Sequence, residues 1–482
     1  MSHRFHTFSI ILLLGTVLAG CSRDGAPAPG KDISLRFNGQ GKFKIVQLTD
    51  THLCWDRHEE FVKALEQQHR ILEAEKPDLV IFTGDVVTDV NADSAWVDFL
   101  KPLDDMGIPF VVTLGNHDRE QNLTERQLAS MVMSHPMSLN TAKEGRLDDL
   151  AVEVKSSKGD KVAALLYCMD SGDYVSNEQV ESDYGWFGWD QVEWYRHTSF
   201  EYSRANGGVP VPAYAFFHIP LLEYRETFDS GKIVSGVREE AECPGELNTG
   251  LFSAFAECGD VHGVFAGHDH VNDYVVERDD VYLIYGRFSG RNTSYHNLPF
   301  GYRVIELTEG DYGLRTWIHE DEGEIVQTDT LKVAVDYSLH KAAGGKGKTH
   351  GLECTEFSGD FTEPEDILSG SRQESRIVAT PYMPKKLNPA SHGYLFSGKL
   401  LVPESGVWFI HGTAYDTGTI RIDDWTISGK KQFQGRVNLE KGLHDISIIL
   451  ANKGSKERMR VQWRRLDEAR YRDIPEESFF TD

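Results

Sequence analysis

The first regularity along the chain is a series of short apolar stretches of strand type, each halted by Asp, Asn or His. Phe43-Lys44-Ile45-Val46-Gln47-Leu48 gives way to Thr49-Asp50-Thr51-His52, and Leu79-Val80-Ile81-Phe82-Thr83 to Gly84-Asp85. Phe110 to Leu114 is followed by Gly115-Asn116-His117-Asp118, Ala213 to Phe217 by His218, and Val261 to Ala266 by Gly267-His268-Asp269-His270. Apolar runs without strict alternation suit strands buried on both faces. Between the first two runs, Glu59 to Lys76 carries Phe61, Leu65 and Leu72 at helical spacing and is closed by Pro77, which predicts a βαβ unit. Sheets of that kind place ligands beyond the carboxyl ends of their strands, and the polar residues stand there. Glycine ahead of Asp85, Asn116 and His268 permits a sharp turn and a close backbone approach.

The pattern changes past residue 338. Residues 338–350 (SLHKAAGGKGKTH) lack large apolar side chains and read as a linker. Beyond them Tyr394 to Val402, Val407 to Ala414, Thr419 to Ile427, His444 to Leu450 and Met459 to Trp463 are strand-like runs between turn residues. That pattern predicts an all-β sandwich. The run Lys453 to Arg472 mixes bases with acids and reads as a solvated face.

Asp50 and His52 are two residues apart, as are His268 and His270, so each pair projects from one side of an extended segment. Oxygen and imidazole donors without thiolate suit zinc, manganese or iron. Asp50, His52, Asp85, Asn116, His218, His268 and His270 are enough for two ions sharing a carboxylate. Other groups carry less: Cys54, Arg57 and His58 read as loop packing ahead of cleft lining, Tyr184 to Tyr195 as a helix seated on the core ahead of a surface that stacks a base or sugar, and Arg287 and Arg291 as candidate phosphate contacts.

The blocks D-x-H, G-D, G-N-H-D, H and G-H-x-H resemble the calcineurin-like metallophosphoesterase superfamily over residues 41–330. The segments Asp170-Ser171-Gly172-Asp173-Tyr174, Phe217-His218-Ile219-Pro220 and Gly267 to Tyr274 resemble its purple-acid-phosphatase-like branch. Thr88 stands where true purple acid phosphatases carry the tyrosine that colours ferric iron, so no such band is expected. The resemblance implies an α/β fold, a metallophosphoesterase β-sandwich flanked by helices. It implies two divalent ions (Mn, Fe or Zn), one held by Asp50, His52 and His270, the other by Asn116, His218 and His268, with Asp85 bridging. It further implies phosphate-ester hydrolysis, phosphomonoesters favoured, by a bridging hydroxide, with His117 as general acid and Asp118 orienting its imidazole. A phosphodiesterase on nucleotides or lipid headgroups, and a glycan-binding surface protein with a non-catalytic metal site, are the rival readings. Residues 351–466 resemble the protective-antigen-type β-sandwich in Phe396 to Leu400, Gly406 to Ile410 and Ile420 to Asp424, which implies a glycan partner. Tyr415 and Asp416 stand where its calcium-dependent members carry an Asp-Asp pair.

Composition narrows the partners. A formal net charge of −25 argues against nucleic-acid binding through a basic face but leaves a small phosphorylated substrate open. Residues 1–20 have the charge, apolar run and small residues of a secretory signal, and Leu18-Ala19-Gly20-Cys21 resembles the bacterial lipobox. That resemblance implies lipidation of Cys21, a stalk over 21–40, and a place in the cell envelope, anchored to the membrane by lipid alone. The other five cysteines read as small buried hydrophobes, Cys243 and Cys258 being the nearest couple in sequence. Residues 467–482 form a tail.

Overall fold

The computed structural model describes residues 33–482 apart from 89–90, 176–179, 291–297, 321–322, 345–346, 360, 362, 382–391, 453–458, 469 and 482. The signal-type segment with Cys21, and Arg291, lie outside the described residues.

Two sheets face each other. The first runs Ile325–Leu331, Leu314–Glu320, Gly301–Thr308, Lys42–Leu48, Leu79–Thr83, Phe110–Thr113. Its last three strands are parallel, with Ile45 opposite Leu79 and Ile81 opposite Val111. The helix His58–Glu75 makes the crossover of the expected βαβ unit. The second sheet runs Leu35–Arg36, Leu150–Lys155, Val162–Cys168, Ala213–Phe216, Val261–Ala266, Val281–Tyr285, Val275–Arg278, Ile233–Ser235.

The unbroken apolar runs now have a reason. Phe43, Ile45, Leu79, Ile81 and Val111 point into the space between the sheets and meet Ala164, Leu166, Tyr214, Phe216, Phe265 and Ile284. Their neighbours Val46, Leu48, Val80, Phe82, Phe110 and Val112 face outward onto Phe61, Leu72, Trp96, Phe99 and Leu128 of the covering helices. The second sheet is covered in the same way through Tyr195, Tyr224, Phe252 and Phe255. Helices therefore enclose a two-sheet sandwich, as expected, but the five ligand-bearing strands divide between the sheets, three in the first and two in the second.

From Leu339 the chain builds one mainly antiparallel ten-stranded sheet around a separate core. Gly406–Ile422 is a single long strand, irregular between Ala414 and Thr417. Its first half pairs with Met459–Arg464 and its second with Gly442–Asn452, so it passes from one side of the core to the other. Trp408 and Trp463 lie against each other at its centre, ring centroids 4.5 Å apart. The expected strand over Thr419 to Ile427 is corrected: Asp423 and Asp424 turn the chain there, and Trp425–Leu439 returns as a mostly polar partner. The expected linker is corrected too. Leu339–His340 pairs with Asn438 and Leu439, and Ala343 with Leu443, so its first residues are laid on the sheet.

The two regions meet at a close seam. Val407 N–H donates to the Gly208 carbonyl at 3.0 Å, and a Cβ on Gly208 would lie 2.6 Å from Gly406 Cα. Tyr337 Oη donates to the Gly259 carbonyl at 3.0 Å, and the Arg436 guanidinium donates to the Ala256 carbonyl. Among the described residues no helix is long and apolar enough to cross a membrane. Cys168, Cys258 and Cys354 are buried, Cys54 is half-buried and Cys243 exposed, and among the described residues none forms a disulfide.

Candidate metal centre

Five strand ends converge at one edge of the sandwich. Asp50, His52, Asp85 and His268 take left-handed backbone there, at φ +54°, +43°, +51° and +79°. For residues with a Cβ such conformations cost roughly 1–3 kcal/mol each and persist only where the surroundings fix them. The loops supply that constraint by bonding to one another. Asp50 N–H donates to Gly84 O (3.1 Å), His52 N–H to Asp85 O (2.9 Å), and His268 N–H to the Asp50 carboxylate (3.1 Å). His117 N–H donates to Asp85 Oδ1 (2.8 Å). Gly84, at φ +86°, passes so near His218 that a Cβ would stand 2.4 Å from its Nδ1, and one on Gly115 would stand 2.2 Å from Asp85 Oδ1. Glycine before the ligand is therefore required by space as well as by the turn.

The donor atoms form two groups that share Asp85. Asp50, His52, Asp85 and His270 make one, and Asp85, His218 and His268 the other, with the donor atoms of each group lying within 4.8 Å of one another. Within them His52 Nε2 faces His270 Nε2 at 3.1 Å, and His218 Nε2 faces His268 Nδ1 at 3.2 Å. Asp85 Oδ2 lies 3.2 Å from His218 Nε2 and 3.6 Å from His52 Nε2. Asn116 is buried beside them, its Oδ1 without a hydrogen-bond partner. Paired imidazole nitrogens aimed at each other, two buried carboxylates and an orphaned amide oxygen are a donor set built for cations. His218 Nδ1 donates to the Thr83 carbonyl at 2.7 Å, which fixes its tautomer and leaves Nε2 free as a donor atom. The residues present fit two divalent ions of the zinc, manganese or iron kind.

The electrostatics of the chain's own groups agree at His52 and His268, while His218 holds a proton that a bound ion would displace. Burial pushes His52 down to about 4, and burial with the neighbouring His218 takes His268 to about 3, so both imidazoles stay neutral, as ligation requires. Burial opposes charge on Asp50, yet bonding and attraction to His270 outweigh it and hold that carboxyl at about 2. Burial likewise opposes charge on Asp85, and His218 holds it well below the usual carboxylate range. His218 carries the balancing charge, raised to about 10 against burial by Asp85 and Asp50.

His117 sits at the mouth of the cluster, about one third exposed, its ring 5.2 Å from that of His52. The role inferred for Asp118 is corrected. Its carboxylate accepts N–H bonds from Val86 (2.8 Å), Val87 (3.0 Å) and Gly115 (2.9 Å), clamping two ligand loops together. The His117 imidazole is held instead by Glu120, with Nδ1 and Oε2 2.8 Å apart, because the short 3₁₀ turn His117–Arg119 brings the third residue onward alongside. Glu120 was legible only as a His-x-x-Glu spacing.

The tyrosine-rich segment splits. Phe187, Val192 and Tyr195 enter the core, but Tyr184 stands edge-on against His268 at 4.5 Å, and Trp189 is exposed. Arg287 is also corrected, being buried and paired with Asp273 and Glu320 rather than facing the cleft. Arg119, which sequence reading passed over, bonds the Gly115 carbonyl, the Gly172 carbonyl and the Asp170 carboxylate, fixing the Asp170–Gly172 turn to the Asn116 loop.

The calcineurin-like phosphoesterase family profile matches residues 43–272. A protein of Arabidopsis thaliana named probable inactive purple acid phosphatase 29 is 32% identical, over 63% of this chain and 89% of its own length. The Saccharomyces cerevisiae phosphatase DCR2 is 28% identical over 59% of this chain and 54% of its own. Among solved structures, a dimetal phosphatase from Danio rerio superposes with a TM-score of 0.41 at 13% identity, over 61% of this chain and 99% of its own.

Proposed function

The chain belongs to the calcineurin-like phosphoesterase family, and from that premise we propose that it hydrolyses phosphate monoesters, with His117 protonating the departing oxygen. The observation that carries this reading is the juxtaposition of two ligand groups joined by Asp85 with an accessible imidazole at their mouth. Bound ions supply an acidified water and offset the charge of the transferring phosphoryl group. The chain supplies the rest. Asp85, common to both donor groups, would hold both ions, with Asp50, His52 and His270 on one side and Asn116, His218 and His268 on the other. Glu120 occupies His117 Nδ1, which leaves Nε2 as the atom that carries a proton to the leaving group. Such a proton transfer is typically worth about 10²–10⁴-fold in rate.

A second reading, metal binding without turnover, draws support from the Arabidopsis relative, which is named probable inactive. The full ligand set with His117 beside it favours catalysis. The test is steady-state hydrolysis of p-nitrophenyl phosphate beside bis-p-nitrophenyl phosphate by the manganese-loaded protein. The expected result is turnover with a strong monoester preference. A diester preference would replace the reading with a phosphodiesterase, and metal-loaded protein that turns over neither would replace it with the binding protein.

A further inference from the structure

One wall of the cleft is not used by the ligand set or by the proton-transfer step. Tyr174 and Tyr184 lie side by side, ring centroids 5.5 Å apart and planes 32° from parallel. Their adjacency is built by backbone pairing. The two residues form an antiparallel bridge, Val175 N–H donates to Asp183 O at 2.9 Å, and Gly185 N–H to Asp173 O at 2.6 Å. Arg119 anchors the turn that leads into Tyr174 to the loop that carries Asn116. The wall is therefore held in register with the metal ligands.

Its two ends touch the two functional points of the cleft. Tyr184 stands edge-on to His268 at 4.5 Å, and Tyr174 stands edge-on to His117 at 6.0 Å, with its hydroxyl 3.5 Å from His117 Nε2. Tyr174 is 45% exposed and Tyr184 is half-buried, so both rings are open in part to water. The two rings together span from His268 to His117. Aromatic rings that line a path and are left partly open to water offer stacking area at little entropic cost.

We infer that Tyr174 and Tyr184 form a stacking platform that selects phosphate esters whose alcohol carries a flat aromatic group. The inference rests on the phosphoesterase reading only for the location of the phosphoryl group. It makes a binding prediction that holds whether or not turnover occurs. The aromatic group belongs either to an aryl ester, with the ring next to phosphorus, or to a nucleotide, with the base one sugar away.

The test uses non-hydrolysable probes on the manganese-loaded full chain. Affinities for 1-naphthyl phosphonate, a nucleoside 5′-phosphonate and methylphosphonate are measured by calorimetry for wild type, Tyr184→Leu, Tyr184→Phe and Tyr174→Leu. Wild type is expected to bind at least one aromatic probe about tenfold or more tighter than methylphosphonate, the range that base–aromatic stacking supplies. Tyr184→Leu and Tyr174→Leu should each cut that ratio severalfold, and Tyr184→Phe should restore it. Because a ratio is read, any loosening of the ion beside His268 affects both probes and cancels. Preference for the naphthyl probe assigns aryl esters, and preference for the nucleoside probe assigns nucleotides. Equal affinity for aromatic and methyl probes in wild type, or a ratio unmoved in both Leu variants, would overturn the inference. Absence of turnover on p-nitrophenyl phosphate with the ratio intact would sink the phosphoesterase reading and leave the platform standing.

Discussion

Both halves of the molecule contain non-glycine residues in left-handed backbone, and they handle them differently. In the phosphoesterase sandwich Lys76, Asn91, Glu144, Asp279, Asp280 and Gln327 adopt it at ordinary turns and element ends or edges, but Asp50, His52, Asp85 and His268 adopt it together at the metal centre with their side chains withdrawn from water. Among the described residues of the C-terminal sheet only Asp423 and Lys431 do so, one at a hairpin turn and one exposed along the polar strand. In the second place water and local bonds satisfy the chain, and the strain serves a reversal at Asp423 and an irregularity of pairing at Lys431. At the metal centre, strained residues satisfy one another and leave a surplus of lone pairs facing inward. Concentrated strain of this kind marks a place where a ligand completes the structure.

The sharpest way to break this contrast is Asp85→Asn, which removes the carboxylate common to both donor groups while keeping its shape. Ion content is expected to fall from two per chain, and kcat/KM to drop about 10³-fold, as when a principal charge-stabilising group is lost. Elemental analysis and p-nitrophenyl phosphate turnover check both. Unchanged ion content would show that the cluster does not depend on the shared oxygen.

Trp408→Ala probes the other region, where stability rests on packing. Its side chain is 1% exposed and packs on Trp463, so about 3–5 kcal/mol should be lost in chemical denaturation, with ion content retained. Ion loss on that substitution would mean the two regions are coupled across the Gly208–Gly406 seam.

Asp118→Ala tests the loop clamp. Three buried N–H groups lose their acceptor, and orphaning such groups costs about 1–3 kcal/mol each before relaxation. A net loss of about 3 kcal/mol is expected, seen as a lower denaturation midpoint with the ions still bound at saturation. A stability equal to wild type with reduced activity would return Asp118 to a role at His117.

The smallest effect belongs to Asp149, away from the ligands. Burial raises its pKa to about 6, against bonds from Asp170 N–H and Gln191, and with Asp170 and Asp148 nearby adding to the rise. A folded pKa above the unfolded value of about 3.9 means the native state holds the proton more tightly. This group's contribution therefore falls as pH rises from about 4 through 6. Asp149→Asn should gain melting temperature relative to wild type at pH 7.5, and the gap should close at pH 4. A gap independent of pH would remove the ionisation as its cause.

Much of the site was legible because each ligand interrupts an apolar strand, a local signal that needs no tertiary knowledge. The division of those strands between two sheets was not, since a run such as Ala213 to Phe216 reads the same in either. Tyr174 and Tyr184 meet only when separate segments pair, so their segments stood out in sequence without the contact between them, and Glu120 left no more than a His-x-x-Glu spacing. Asp118 was misassigned because adjacency to His117 was taken for contact, whereas its buried carboxylate turns toward the amides of Val86, Val87 and Gly115. In the C-terminal sheet Trp425–Leu439 escaped notice because its outer stretch alternates half-buried with exposed residues and buries almost none, the habit of a strand with one wet face.

The partition of ligands also has a mechanical side. Asp50, His52, Asp85 and Asn116 extend from the first sheet, and His218, His268 and His270 from the second, so each ion would be gripped by both. An ion pair placed there works as a rivet across the open edge of the sandwich. Peeling the sheets apart would require its release first, and the time the fold survives under pulling, heat or protease would then be set by how long the rivet holds.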